Sequence, residues 1–511
     1  MGKGKRATYN FVFGILAQVL TVVLGVVVPR LVLTSYGSEV NGLINTVTQV
    51  YSYMGLLEAG VGLATVQALY KTISKNDRNA TNRVLAATNS FYHKTGIAYL
   101  AAIAGFSIVF PLIVSTEVPT VTVVLIIVFN GLGSVINYFF QGKYLLFLQA
   151  EGKTYVQTGI TMATNLFRNV AKIVLMAMGM DVVFVQAISM LVSLIQMIYI
   201  TLYIKRNYKW MDLSVKPDYD SISQSRNVLV HQISSLIFNN TDMIILSAVC
   251  GLKVTSVYSM YAMLFGMIGS FLSTLSSSVT FALGQVFNSD KNRYIKLHDC
   301  FEVYYMAIVF GLYSVANFFI LPFLKLYTNG VNDVNYIDSY LPLLFISTYL
   351  LSSGRTSSNS VINFAGHFRQ TQWRSILEAV INLTVSLISV HFFGIYGVLF
   401  GTVAALLYRS NDMIIYSNRK ILKRSPIKTY RRWITDLVLF AAILFTDRFI
   451  VLSLDSYIKI VLWCVPYTIV TLLLYLIVNS IFEREAAKTA IDCIKPYLSK
   501  ISRKKSAVKT D

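Results

Sequence analysis

The feature that most constrains this chain is the recurrence of apolar stretches of about 20 residues, the length that crosses a hydrocarbon core as an α-helix. The template fits at 11–33, 43–69, 91–114, 118–141, 155–178, 181–204, 227–250, 255–283, 301–325, 340–363, 375–393, 396–416, 434–452 and 457–480. Of the 511 residues, 55% are hydrophobic and 13% charged, against roughly 25% charged in soluble domains. A soluble core could not hide that much apolar surface. The expected fold class is therefore all-α integral membrane, with about fourteen transmembrane helices.

The formal charge of +20 would suggest nucleic acid in a soluble protein. Here the cations sit in the connections between apolar stretches and set orientation instead, so no nucleic-acid partner is expected. Alternate connections carry Lys71, Lys75, Arg78 and Arg83; Lys143 and Lys153; Lys205, Arg206 and Lys209; Lys291, Arg293 and Lys296; Arg369 and Arg374; the run from Arg419 to Arg432; and the basic tail. The other connections hold one basic residue, Lys253. Both termini are thus expected in the cytoplasm. The stretch from Phe11 to Leu33 is too long for a signal-peptide core and lacks a small-residue cleavage site, so it reads as a retained helix. Cys250, Cys300, Cys464 and Cys493 show no paired spacing, and neither a disulfide framework nor a metal site is expected.

An internal repeat of about 214 residues relates Gly37-Ser38-Glu39-Val40 to Gly251-Leu252-Lys253-Val254. Six helices per repeat is an even number, so the halves point the same way, as in transporters whose lobes are related by an axis along the membrane normal. The expected organisation is an N-lobe over 1–209, a C-lobe over 210–425, two further helices over 426–481 and a basic amphipathic tail over 482–511. The tail suits an interfacial helix on membrane lipids, although Pro496 interrupts its pattern.

Ionisable groups inside the membrane are costly and normally face a partner or a wet cavity. Arg30 follows Pro29 in the first span, and Glu58 lies among Leu57, Ala59, Gly60 and Gly62 in the second. Arg168 and Lys172, four apart on the fifth, share a helical face. Asp242, Arg355 and Glu378 fall in later spans. Arg168 and Lys172 repel on one face unless an anion lies between them, and together with Arg30 and Arg355, the other cations within spans, they are the candidate cavity cations. Their chemistry suits phosphate oxygens. Glu58, Asp242 and Glu378 are candidate proton or sodium coupling sites, or simply balance charge. The bland alternatives are snorkelling for Arg30, a local ion pair or kink cap for Glu58, a local ion pair for Arg355 and solvation for Glu378.

Several segments resemble one family. Pro29-Arg30, Gly37, Gly42-Leu43, Leu57-Glu58-Ala59-Gly60-Val61-Gly62, Asn240-Thr241-Asp242, Ile381-Asn382-Leu383 and the run Gly394 to Thr402 are similar to the polysaccharide transporters of the multidrug/oligosaccharidyl-lipid/polysaccharide (MOP) exporter superfamily, the Wzx-type flippases. The resemblance covers the first twelve spans. It implies a V-shaped pair of six-helix bundles that flips an undecaprenyl-diphosphate-linked oligosaccharide by alternating access in the bacterial cytoplasmic membrane, alongside polysaccharide polymerase and glycosyltransferases. Ala59 stands where the family usually has Leu. Two alternatives are a MATE-like drug/cation antiporter and a membrane-embedded glycan polymerase or acyltransferase. Short external loops, five unclustered histidines and the lack of a phosphate-binding Gly-rich loop argue against catalysis, and no cofactor is expected.

Overall fold

The structure, a computed structural model, describes residues 3–55, 58, 61–222, 226–287, 289–450, 452–493 and 495. Among these residues there is no strand. Sixteen α-helices follow in order: α1 Lys3–Met54, α2 Val61–Ser74, α3 Arg78–Ile113, α4 Thr120–Ile136, α5 Gly142–Ala150, α6 Thr154–Ala177, α7 Val182–Asn207 and α8 Arg226–Val249. Then come α9 Leu252–Phe287, α10 Lys291–Tyr327, α11 Leu341–Gly354, α12 Thr356–Phe364, α13 Phe368–Phe393, α14 Ile395–Tyr416, α15 Ile427–Asp447 and α16 Tyr457–Phe482. Nine helices among the described residues are long and apolar enough to cross a membrane. The other expected spans fall on α2, α6, α8, the broken pair α11–α12 and α15, which are shorter or more polar. The tail is helical over 484–493, and its residues beyond 495 lie outside the described set, as do Leu57, Ala59 and Gly60.

Two expected spans are interrupted, each at a charged residue. The 43–69 stretch stops at Met54 and resumes at Val61, and Glu58 sits in the intervening turn, where its N–H bonds the Gly55 carbonyl at 3.1 Å. Glycine is a poor helix interior, and Gly55, Gly60 and Gly62 cluster here. The 340–363 stretch breaks at Arg355 (φ −78°, ψ −8°) after Ser352-Ser353-Gly354. The opposite departure follows α4: its hydrogen bonding widens to a π-turn over Asn137–Gln141 and the chain continues helical to Ala150. Lys143, expected in a connection, is therefore buried in a helix and donates to Asn89 Oδ1 at 2.6 Å.

The chain divides into two compact units. The first comprises 1–260 with 330–335 and 375–398. Within it, α1 is kinked at Gly37, whose φ of 81° only glycine adopts cheaply, and Ser38 is held by Asp333 through its N–H (2.8 Å) and Oγ (2.6 Å). Gly251, its repeat partner, has φ 86°. One turn on, Gly42 lets α1 touch the Leu252 backbone, while Asn41 donates to Ser256 Oγ at 2.7 Å. Val40, Leu43, Val47, Ile126, Ile127 and Leu252 form the core beside this crossing.

The second unit comprises 261–329, 336–374 and 399–511. Its axis is α10, which packs on α11, α15 and α16. Phe310 and Tyr313 are fully buried on α10, and Phe265 stacks on Phe345 with centroids 5.7 Å apart. At one end of this unit Asp299 and Glu302 of α10 meet the basic segment before and within α15. Arg424 (2.5 Å) and Lys428 (2.8 Å) reach Asp299, and Arg432 reaches Asp299, Glu302 and Glu483.

Candidate functional site

The strongest candidate lies inside the first unit, and α6 builds it. Arg168 and Lys172, four apart, share one face and line it, while Thr161 and Asn165, earlier on the same helix, line a separate space beside α1. Opposite stand α4 with its π-turn and α7. Together they enclose a cavity of about 330 Å³ lined by Asn130, Ser134, Asn137 and Gln141, by Gln186, Ser189, Ser193 and Gln196, and by Arg168 and Lys172. The π-turn re-aims Asn137, Tyr138 and Gln141, a distortion often found at functional sites.

Among the described residues the lining contains two cations and no carboxylate. Arg168 donates from Nη2 to Ser193 Oγ at 3.2 Å, while its buried Nε has no partner among the described residues. Gln141 Oε1 is likewise buried without one. Buried polar groups are normally paired, so a cationic pocket with spare donors is arranged for an anion with several oxygens. Two neighbouring cations without such a ligand repel each other.

A second concavity abuts the first. Between the outer faces of α6 and α7 runs a groove of about 700 Å³ lined mainly by Tyr155, Ile160, Phe167, Val192, Ile195 and Tyr199. Gln196 lines both spaces. Phe167, Ile195 and Tyr199 are more than half exposed, as suits side chains facing hydrocarbon. A polar cationic chamber thus adjoins an apolar channel.

The other candidate residues are dispersed. Arg30 is half-buried on α1 and is not among the residues lining the cationic chamber. Glu58 receives the Tyr92 hydroxyl and stands within reach of Tyr138, which does line it. Asp242 on α8 is buried and accepts from Tyr258 at 2.8 Å, and Glu378 on α13 is also buried. Arg355 belongs to the second unit, at the α11–α12 break. The amides and hydroxyls of α4 and α7 escaped sequence reasoning, since uncharged polar residues in spans usually serve packing.

His298, Asp299 and Glu302 place ligand-type atoms within 4.8 Å of one another, but a metal would meet competition. Both Asp299 oxygens are taken by Arg424 and Lys428, and the Glu302 oxygens by Arg432, Thr429 and Ser357. These carboxylates are committed to holding α10, α12 and α15 together.

Helices of membrane-spanning length, one group of them enclosing a polar cavity, define a multi-pass membrane protein. The particular fold is that of the MOP-superfamily transporters. The chain is similar to the lipid II flippase MurJ in an inward closed conformation (TM-score 0.66, 14% identity, 93% of this chain and 99% of that one). It is also similar to an inward-facing multidrug resistance MATE family transporter of the MOP superfamily (0.59, 17%, 79% and 95%). A third likeness is a MOP superfamily transporter from Pyrococcus furiosus described as having a binding pocket of reverse polarity (0.51, 15%, 82% and 94%). No protein-family model and no curated protein matches the sequence.

Proposed function

We propose that this protein is a flippase that carries undecaprenyl-diphosphate-linked oligosaccharide across the bacterial cytoplasmic membrane for polysaccharide synthesis. The observation that carries this reading is the pairing of a chamber lined, among the described residues, by cations without carboxylates and an apolar groove that shares Gln196 with it. The diphosphate binds Arg168 and Lys172, the polyprenyl chain lies along α6 and α7, and the sugar occupies water. Arg30 and Arg355 serve the anion at other stages of alternating access. Glu58, Asp242 and Glu378 supply coupling or charge balance. Both termini are cytoplasmic, and polymerase and glycosyltransferases supply and consume the cargo.

The likeness to a lipid II flippase supports this reading at the level of fold, and the likeness to MATE transporters supports drug/cation antiport at the same level. The cation-lined chamber favours the first, because a cationic drug would be repelled there. Binding by the purified protein tests the choice. A polyprenyl diphosphate is expected to bind, and the corresponding polyprenol to bind far more weakly. Preferential binding of lipophilic cations would favour antiport instead.

A further inference from the structure

A buried acid outside the cationic chamber has no role in the reading above. Asp436 lies nine residues into α15, about 13.5 Å along the helix at 1.5 Å per residue. It is wholly inaccessible, accepts from Asn479 Nδ2 at 2.7 Å through Oδ1, and its Oδ2 has no partner among the described residues. An amide donor, not a cation, is its neighbour. Arg432, one turn away, is spent on Asp299, Glu302 and Glu483.

Asp436 also belongs to a seam. Tyr467, Thr471, Tyr475, Asn479 and Glu483 recur every four residues and form one stripe along α16 and its end. From α10, Ser314 meets Tyr475 Oη at 3.0 Å. At the far end of α15, Asp447 accepts the Tyr467 hydroxyl at 2.5 Å through Oδ1, and its Oδ2 again has no partner among the described residues. The groups that face Asp436 are thus Asn479 and Tyr475 from α16, and Tyr475 in turn meets Ser314 of α10. Polar chains of this kind inside membrane bundles mark proton relays.

We infer that Asp436 is a proton-binding site, filled and emptied along the α10–α15–α16 seam between the Arg432–Glu483 end and Asp447. A proton from water adds to Oδ2, converting carboxylate to neutral carboxyl, and leaves to water by the same or the opposite end. The ligand is a proton rather than a metal cation, because the Asn479 amide turns its donor side to the carboxyl. Proton binding stands on the seam alone; its use in coupling rests on the transport reading.

Infrared difference spectroscopy on the full chain in lipid nanodiscs, stepped between mildly acidic and mildly alkaline pH, tests this. Isotope-labelled aspartate should give a carboxyl band that appears on acidification, is lost in Asp436→Asn, and relaxes more slowly in Asp447→Asn. No titrating aspartate band in the wild-type protein, or a band untouched by Asp436→Asn, overturns the inference. Binding of polyprenyl diphosphate in the same samples separates the two claims. Loss of that binding with the band intact sinks the flippase reading alone, and intact binding without the band sinks the proton site alone.

Discussion

A hydrogen bond to a charged group is worth about 1.5–3 kcal/mol net. Arg168→Ala or Lys172→Ala should therefore weaken polyprenyl-diphosphate binding roughly 10–100-fold, measured by titration of purified protein, with little change in thermal stability. Among the described residues Lys172 forms no ion pair to be broken, so its removal relieves repulsion from Arg168. The shared face of these two residues was legible from their spacing. The partners that complete the chamber were not, because Asn137 and Gln141 are turned inward by a π-turn that no sequence pattern announces. Asp436 was overlooked for a different reason: it follows Arg431, Arg432 and Trp433 and reads as the rim of a basic connection.

Glu483, just beyond α16, carries a pH prediction. Burial works against its carboxylate, but hydrogen bonds from Arg431 and Arg432 outweigh burial and hold it below the usual range. A depressed acid stabilises the fold above its ordinary value, and the contribution is lost as pH falls through the lower folded value. Glu483→Gln should lower stability at neutral pH by on the order of 3 kcal/mol. Melting curves of variant and wild type should converge in acid.

At the scale of elements, hydropathy located the helices but not their interruptions. Apolar length governs insertion, whereas breaks depend on what the chain packs against. Gly354, for example, abuts the Trp433 ring, which any side chain would displace. The repeat left a sharper local mark: Gly37 and Gly251 both adopt positive φ. Gly42 offers a direct check. A Cβ there would run into the Leu252 backbone, and backbone cannot swing aside, so Gly42→Ala should cost about 1–3 kcal/mol. A lowered melting temperature in detergent would register it, whereas Gly105→Ala, inside α3 with open space around it, should raise it slightly.

For the whole molecule, composition and the distribution of basic residues led to a multi-pass helical membrane protein, and the fold is similar to those of MurJ and MATE proteins. Cargo is read at the cavity, since one fold hosts different cargoes. The most direct measurement is a leaflet assay with a fluorescent polyprenyl-diphosphate sugar in liposomes containing the protein. The wild-type protein should translocate the lipid, and the Arg168→Ala/Lys172→Ala double variant, inserted in equal amount, should not. Translocation at the wild-type rate by the double variant would contradict the account.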